Sequence, residues 1–178
     1  MSYLPCELHC HTIHSDGDFT VSELQKAAVD DHLAIIALTD HNTFSGWDEL
    51  DDNIIPAIRG IEWTTYFGHM LVLGANDFVD WRDAQPDNID EKIKQVKAVG
   101  GIVGIAHPYQ LGSPLCTGGR WEFNVRDWRN VDYIEVWHQN LYSAKRENER
   151  ALELWTSLLD KGYKIAATYG RDWHREET

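Results

Sequence analysis

The chain has 178 residues and a formal net charge of −13, from 16 Lys and Arg against 29 Asp and Glu. That length suits one domain over residues 1–178 with a sizeable core, and the negative charge argues against nucleic acid as a partner. The sequence has no apolar run that predicts a membrane span, no basic and apolar leader, and only 3 cysteines, so we expect a reduced, cytoplasmic compartment.

Apolar runs and helix signals alternate along the chain. Strands are predicted at residues 4–9, 34–39, 54–61, 69–73, 102–106, 133–137 and 164–169. Helices are predicted at residues 20–31, 88–99 and 143–161, with a short one at 45–50, and Thr20 with Glu23 forms a capping box at the first. This alternation predicts an α/β fold with mostly parallel strands. Seven strands with ligand-type residues at their ends favour a closed or nearly closed β/α barrel.

Two pairs of ligand-type residues lie at opposite ends of the chain. His9 and His11 are two residues apart in the run ELHCHTIHSDGD, and Asp172 and His174 repeat this spacing near the end. Residues i and i+2 of an extended strand point to the same face, so each pair is expected to share one face.

Further imidazoles and carboxylates lie between these pairs. They are Asp16 in the first loop, Asp40, His41, Glu62 and His107 at strand ends, and His69 at the start of a strand. Because strand ends meet at one rim of a barrel, this mixture predicts a multinuclear metal site.

Each residue taken alone also has a structural interpretation. A single His at a strand end is more often hydrogen-bonded than a metal ligand, Glu62 alone suits a cap or rim charge, and Asp16 alone suits a turn. His138 follows a strand and is expected near the site, with no role assigned. Trp121 and Trp128 suit a pocket wall or packing on the rim equally well.

A resemblance to a known family rests on eight motifs that occur along the chain in this order: HCH, SDG, LTDHN, GIEWT, GHMLVLG, AHP, IEVW and GRDWH. Over nearly the whole chain they resemble the PHP (polymerase and histidinol phosphatase) family of metal-dependent hydrolases. GHMLVLG, AHPYQLGSP and DWH further resemble the branch that includes carbaryl- and carbofuran-hydrolysing esterases. The resemblance implies a distorted seven-stranded, TIM-like barrel with two or three divalent ions, and its nitrogen and oxygen ligands suit Zn, Mn and Fe alike.

The resemblance also implies nine metal ligands. They are His9, His11, Asp16, His41, Glu62, His69, His107, Asp172 and His174. The first ion is expected at His9, His11, Glu62 and Asp172, the second at Glu62, His69 and His107, and the third at Asp16, His41 and His174. A carboxylate has two oxygens and an imidazole only one free nitrogen, so Glu62 is the natural bridge between two ions. At the position assigned to His69, family members differ in which His binds the metal.

Three features depart from the family pattern. Arg171 stands where Ser is common; facing the site it could bind a phosphate or carboxylate, and facing outward, which we favour, it is a solvated charge. The loop at Cys116 lacks a second Cys that some relatives carry, so no metal is assigned there. Family members usually continue with a covering helix after the last motif, so we expect the last strand and the barrel bottom to be exposed or covered by a neighbouring subunit.

The expected chemistry is hydrolysis by metal-activated water. Glu62 and His41 are expected to act in the metal centre, and His14 is the candidate that protonates the leaving group, with a hydrogen bond to Asp16 or the loop as the alternative. The leading function is a phosphoesterase for a small soluble phosphate ester. A carboxylic or carbamate ester hydrolase and a non-catalytic metal-binding barrel are the alternatives. We expect a small-molecule substrate, no nucleic-acid or membrane partner, and leave a homo-oligomer open.

Overall fold

The computed structural model describes residues 4–112, 119–138 and 144–176. Its strands are β1 (Cys6–Cys10), β2 (Ile35–Leu38), β3 (Ala57–Thr65), β4 (Gly68–Leu73), β5 (Ile102–Ile105), β6 (Tyr133–His138) and β7 (Ala166–Gly170). Its α-helices are α1 (Val21–Asp30), α2 (Ile89–Ala98) and α3 (Lys145–Asp160). The predicted short helix at residues 45–50 is a single 3₁₀ turn, Trp47–Glu49. Cys116, in the loop to which no metal was assigned, lies outside the described residues.

The strands form one sheet in chain order, β1 to β7. Neighbouring strands are parallel except that β4 is antiparallel to both β3 and β5. The reversal follows from the connection between Thr65 and Gly68, because two intervening residues can make a hairpin but not a crossover. Gly68 has a φ of 129°, a conformation that favours glycine. As a result, the start of β4 lies at the same rim as the carboxyl ends of the other strands.

The first and last strands meet at that rim. The Trp173 backbone N–H donates to the His9 carbonyl, and the His11 N–H donates to the Trp173 carbonyl, both at 2.9 Å. The segment after β7 therefore runs alongside the end of β1 and nearly closes the barrel. The predicted α/β barrel of seven strands is confirmed.

The helices cover the outside of the barrel. The side chains of Leu24 and Ala28 in α1 pack against β1 and β2, and α2 and α3 cover a larger apolar cluster. The predicted capping box is present in α1: Thr20 Oγ1 accepts from the Glu23 N–H, and a Glu23 carboxylate oxygen accepts from the Thr20 N–H.

Trp121 and Trp128 are partly buried and pack against the larger cluster. Within the described part of the chain, no helix has the length and apolar character needed to cross a membrane.

Candidate metal centre

The end of β1 delivers two imidazoles into the barrel. His9 and His11 are fully buried, whereas Cys10 between them packs outward into the cluster under α1. This alternation is what an extended strand dictates. His9 Nε2 and His11 Nε2 lie 3.2 and 3.0 Å from the same oxygen, Asp172 Oδ1. They lie 3.4 and 3.5 Å from Glu62 Oε2.

These four atoms fit a cation. His9 Nε2, His11 Nε2, Glu62 Oε2 and Asp172 Oδ1 are buried, and none of them has a partner with hydrogen-bond geometry among the described residues. The four residues form a group whose ligand atoms lie within 4.8 Å of one another. A buried polar atom left unpaired costs about 1–3 kcal/mol, so four of them at one point are a cost that a bound ion would remove. Two imidazole nitrogens and two carboxylate oxygens are also donors that divalent transition metals accept.

Glu135 orients His9. Its Oε1 lies 2.8 Å from His9 Nδ1, and its Oε2 accepts from the His107 backbone N–H at 3.0 Å. Glu135 therefore holds an N–H at Nδ1, and Nε2 is the nitrogen directed at Asp172 and Glu62. Glu135 is not among the residues predicted from the sequence, although a carboxylate inside the apolar run YIEVW was a usable signal.

Glu62 is the centre of the cluster. Its Oε1 lies 2.9 Å from His69 Nδ1 and 3.1 Å from His107 Nε2, and its Oε2 lies 2.7 Å from His41 Nδ1. The side chain is fully buried and faces imidazoles on both oxygens. Glu62, His41 and His69 form a second group within 4.8 Å, and His107 contacts the same carboxylate. One carboxylate thus lies between two candidate sites, as a bridge requires.

A third group lies nearer the solvent. Asp16 Oδ1 is 3.1 Å from His174 Nε2 and 3.3 Å from His41 Nε2, and His11 belongs to the same group. The His174 Nδ1–H donates to the Asp172 carbonyl at 2.7 Å, so its Nε2 lone pair is left for a ligand role. Asp16 has a side chain that is 60% exposed, which distinguishes this group from the two buried ones.

The charge state of the cluster also suits a cation. Burial raises the pKa of Glu62 and of Asp172. The nearby imidazoles, among which His9 has the largest effect, outweigh burial and hold both pKa values well below their ordinary range. Burial lowers the pKa of His9, whereas Glu135, Asp172 and Glu62 raise it well above its usual value, so an ion that binds at Nε2 would displace a proton. The two carboxyl groups are therefore ionised at neutral pH.

The sequence was also compared with known families. It matches the PHP domain family over residues 7–103, which is more than half of the 178-residue chain. The chain belongs to the PHP domain family. The family assignment made from the motifs is confirmed, whereas the assignment to the carbaryl and carbofuran hydrolase branch stays a prediction.

Two uncharacterised proteins of Methanocaldococcus jannaschii are similar to this PHP domain in sequence. MJ1295 is 30% identical over 110 residues, which cover 61% of this chain and 48% of that protein. MJ1587 is 29% identical over 153 residues, which cover 77% of this chain and 85% of that protein. The aligned part of the chain thus spans about half the length of the first relative and most of the second.

Several solved structures share the fold. A two-domain protein of Bacteroides vulgatus that contains a predicted PHP-like metal-dependent phosphoesterase superposes with a TM-score of 0.70 at 21% identity, over 97% of this chain and 52% of that one. A candidate metal-dependent phosphoesterase of Bifidobacterium adolescentis superposes with a TM-score of 0.64 at 19% identity, over 97% of this chain and 88% of that one. An amidohydrolase of Chromobacterium violaceum superposes with a TM-score of 0.64 at 17% identity, over 96% of this chain and 87% of that one. At these identities the likeness shows the fold alone.

The backbone is strained at this PHP site. Asn42, His107 and Asp172 have φ values of 53°, 23° and 52°, in the left-handed region that residues other than glycine rarely adopt. Two of the three are candidate ligands, and the third donates its side-chain N–H to the Thr64 carbonyl beside the site. Strain of this kind is concentrated at functional sites, where the surrounding structure maintains it.

Other residues from the sequence analysis have identifiable partners. Asp40 accepts hydrogen bonds from the Thr12 N–H and hydroxyl and from the Ser15 hydroxyl, so it orders the first loop. Arg171 points outward, as favoured, but it pairs with Asp31 at 2.6 Å and lies over the Trp173 ring instead of being fully solvated.

His14 lies in the loop after β1. Its Nδ1 is 2.8 Å from Ser45 Oγ, and its Nε2 is 3.0 Å from Glu49 Oε1. Asp16, one of the two alternative contacts predicted for His14, is not among these ring partners. The other alternative, the loop, is contacted by the His14 backbone N–H, which donates to Thr12 Oγ1 at 3.3 Å. Its role as proton donor stays a prediction.

Proposed function

We propose that this PHP domain is a metal-dependent hydrolase whose substrate is a small phosphate ester. The observation that carries the proposal is the convergence of four unpaired buried ligand atoms, from His9, His11, Glu62 and Asp172. Family membership supports a metal-dependent hydrolase, and the phosphoester follows from charge: up to three cations in one cluster suit the oxygens of a phosphoryl group.

The candidate ligands would form three ion sites. His9, His11 and Asp172 would hold one ion, His69 and His107 a second, and the two oxygens of Glu62 would contact both. Asp16, His41 and His174 would hold a third ion near the solvent. When bound, divalent ions lower the pKa of water and neutralise charge on phosphoryl oxygens. Zn, Mn and Fe all remain candidates for these ligands.

His14 is the proposed proton donor for the leaving group. The Glu49 carboxylate accepts from its Nε2–H, and Ser45 lies at its Nδ1, so the two contacts fix the ring orientation. A donor held in this way protonates the departing oxygen as the ester bond breaks.

A carboxylic or carbamate ester hydrolase is the second candidate. Two observations favour it: the GHMLVLG and AHPYQLGSP motifs resemble the carbaryl and carbofuran hydrolase branch, and one structural neighbour is described as an amidohydrolase. The same ions would polarise a carbonyl oxygen in place of a phosphoryl oxygen.

An activity assay separates the two candidates. Protein loaded with Zn, Mn or Fe is offered p-nitrophenyl phosphate and p-nitrophenyl acetate, with the metal-stripped protein as control. We expect metal-dependent release of nitrophenol from the phosphate. Turnover of the acetate alone would overturn the phosphoesterase and support the ester hydrolase. We further propose that the substrate is a small molecule of the cytoplasm.

A further inference from the structure

A cavity of about 330 Å³ lies on the outer face of β3 and β4. Ile61, Trp63 and Val72 line it and belong to the apolar cluster outside the barrel, whereas Glu62 points into the metal centre. Residues 39–56, which connect β2 to β3, contain a 3₁₀ turn but no α-helix, so this connection supplies no helix to fill the space. We call the cavity the outer pocket. Its volume lies in the range of small-molecule sites, about 300–1,000 Å³.

The side walls of the outer pocket are aromatic. Phe44 and Trp47 line it from the β2–β3 connection, and Phe78 lines it from the segment after β4. The Phe44 ring centroid lies 4.6 Å from that of Trp47 and 5.9 Å from that of Phe78. The Trp47 Nε1–H donates to the Gly60 carbonyl at 2.9 Å, which fixes the indole ring. Because Phe78 is 51% exposed, a flat apolar group in the pocket would cover aromatic surface that now contacts water.

The outer pocket changes from apolar to charged along β3. Arg59, Ile61 and Trp63 are alternate residues of this strand, so their side chains point to the same outer face. Trp63 is 2% exposed, whereas Arg59 is exposed and has no ion pair among the described residues. Asp77 also lines the pocket, and its Oδ1 accepts from the Phe78 N–H at 2.7 Å. The cation left to bind a ligand here is therefore Arg59.

A ligand that matches this surface has a flat apolar body and one negative charge. The aromatic walls and the buried floor favour an aromatic ring, through stacking and edge contacts. The Arg59 guanidinium favours a carboxylate, which it can bind through two parallel hydrogen bonds. The Asp77 carboxylate disfavours a dianion such as a phosphate, because charge repulsion grows with the charge of the ligand.

The segment that forms one wall of the outer pocket also holds His14. Phe44 and Trp47 face the pocket, whereas Ser45 Oγ lies 2.8 Å from His14 Nδ1 and Glu49 Oε1 lies 3.0 Å from its Nε2. This short segment therefore contacts the pocket with some of its side chains and the His14 ring with others. A ligand that packs on the two aromatic rings would restrict the segment, and with it both partners of His14.

We propose that the outer pocket is a second ligand site, which binds a small aromatic carboxylate, and that the bound ligand fixes residues 44–49 and thereby the ring of His14. The site lies outside the barrel, so it does not depend on which ester is hydrolysed at the metal centre. The proposal assigns a regulatory ligand, rather than the substrate, to this face of the protein.

Isothermal titration of the metal-loaded protein tests the ligand class. The probes are 2-naphthylacetate and 2-(2-naphthyl)ethanol, which share the ring system but differ in charge. We expect the acid to bind about fivefold more tightly, the upper range for a solvent-exposed ion pair. Arg59→Gln should remove this preference, whereas Arg129→Gln, the same change at an exposed arginine outside the pocket, should keep it. Equal binding of the two probes, no binding of either, or an unchanged preference in Arg59→Gln overturns the proposal.

Replacement of Phe78 by Ala tests the aromatic wall. The side chain is half exposed, so its loss should leave the fold intact, with a Tm close to that of the wild-type protein. Both probes should bind about fivefold more weakly, because one ring contact is lost. Tyr66→Ala removes another exposed ring that does not line the pocket, and it should leave the affinity unchanged. Unchanged affinity in Phe78→Ala would place the ligand elsewhere and overturn the site.

Nitrogen NMR tests the link to His14. In zinc-loaded protein labelled with ¹⁵N-histidine, the His14 signals are those missing from His14→Asn. We expect saturating 2-naphthylacetate to shift these signals in the wild-type protein, and Phe78→Ala to need a higher concentration for the same shift. Unshifted His14 signals at saturation overturn the link. Shifts confined to His9 and His11 would place the carboxylate on the metal centre and overturn the outer site.

None of these measurements involves turnover, so they separate the outer pocket from the proposed function. If the aromatic acid binds as expected but p-nitrophenyl phosphate is not cleaved, the outer pocket stands and the phosphoesterase fails. If the phosphate is cleaved but the acid does not bind, the phosphoesterase stands and the outer pocket fails.

Discussion

Asp172 Oδ1 lies 3.0 Å from His11 Nε2, which brings the two ends of the chain together at one point inside the barrel. Backbone hydrogen bonds between Trp173 and β1 hold this contact in register. The closure of the barrel and the assembly of the candidate metal centre are thus the same structural event. Substitutions at this contact should therefore affect both metal binding and stability.

Replacement of Glu62 by Gln tests the bridge. The change keeps the shape of the side chain but removes the charge between the two buried groups, so metal content and hydrolysis should both fall, the latter on the order of 100-fold or more. Elemental analysis and p-nitrophenyl phosphate turnover measure the two effects. Unchanged hydrolysis with only a lower Tm would support the non-catalytic barrel instead.

Replacement of Gly170 by Ala tests the support that Glu135 gives to His9. A Cβ at position 170 would overlap Glu135 Oε1, so the carboxylate must move away from His9 Nδ1. We expect metal affinity to fall about 10- to 100-fold, as for other changes behind a metal ligand, although no candidate ligand is altered.

A double-mutant cycle supplies the control for Gly170. In a Glu135→Ala background the added methyl group has no carboxylate to displace, so Gly170→Ala should have little further effect on metal affinity measured by competition titration. Equal losses in both backgrounds would show that Gly170 acts through some other contact.

The candidate ligands could be predicted from the sequence better than the features that position them. Alternation within β1 and the spacing of Asp172 and His174 are local patterns, so the motif order places the candidate ligands at one rim. The direction of β4 was missed, because a two-residue turn rather than the apolar pattern decides it. Glu135 was missed because its partner His9 lies 126 positions away, and only the folded chain brings them together.

Replacement of Asp16 by Asn tests whether the solvent-facing group binds its own ion. Asp16 contacts only His41 and His174 among the candidate ligands, and its side chain is largely exposed. We expect the number of bound ions per chain to fall by about one, with the buried sites retained. The same metal content as in the wild-type protein would show that this group is a hydrogen-bonded cluster rather than a metal site.

Replacement of His14 by Asn tests the proposed proton donor. A general acid matters most when the leaving group is a poor one, so kcat for phenyl phosphate should fall by about 100-fold and kcat for p-nitrophenyl phosphate much less. Metal content should be the same as in the wild-type protein. If both substrates lose activity equally, His14 supports the loop through Ser45 and Glu49 and donates no proton.

The capping box of α1 predicts a pH-dependent contribution to stability. Hydrogen bonds from the Thr20 N–H, and then from its hydroxyl, lower the pKa of Glu23 from its ordinary value of 4.5. Because the folded state has the lower pKa, the stabilisation is present above 4.5 and is lost as the pH falls through the folded pKa. Urea unfolding should therefore separate wild type from Glu23→Gln at neutral pH and bring them together in acid.

Thr20→Ala is the companion variant for the capping box. It removes the hydroxyl that caps the Glu23 N–H and should cost about 1 kcal/mol of unfolding free energy. Metal content should not change, since α1 lies outside the barrel. A difference between wild type and Glu23→Gln that persists in acid would show that the carboxylate charge is not what stabilises this helix.

The most direct test of the metal centre is anomalous diffraction from crystals of the metal-loaded protein, measured at the absorption edge of the ion that elemental analysis identifies. We predict an anomalous peak about 2.0–2.3 Å from His9 Nε2, His11 Nε2 and Asp172 Oδ1, with an oxygen of Glu62 beside it. A map from metal-containing crystals with no peak among these atoms would contradict the account.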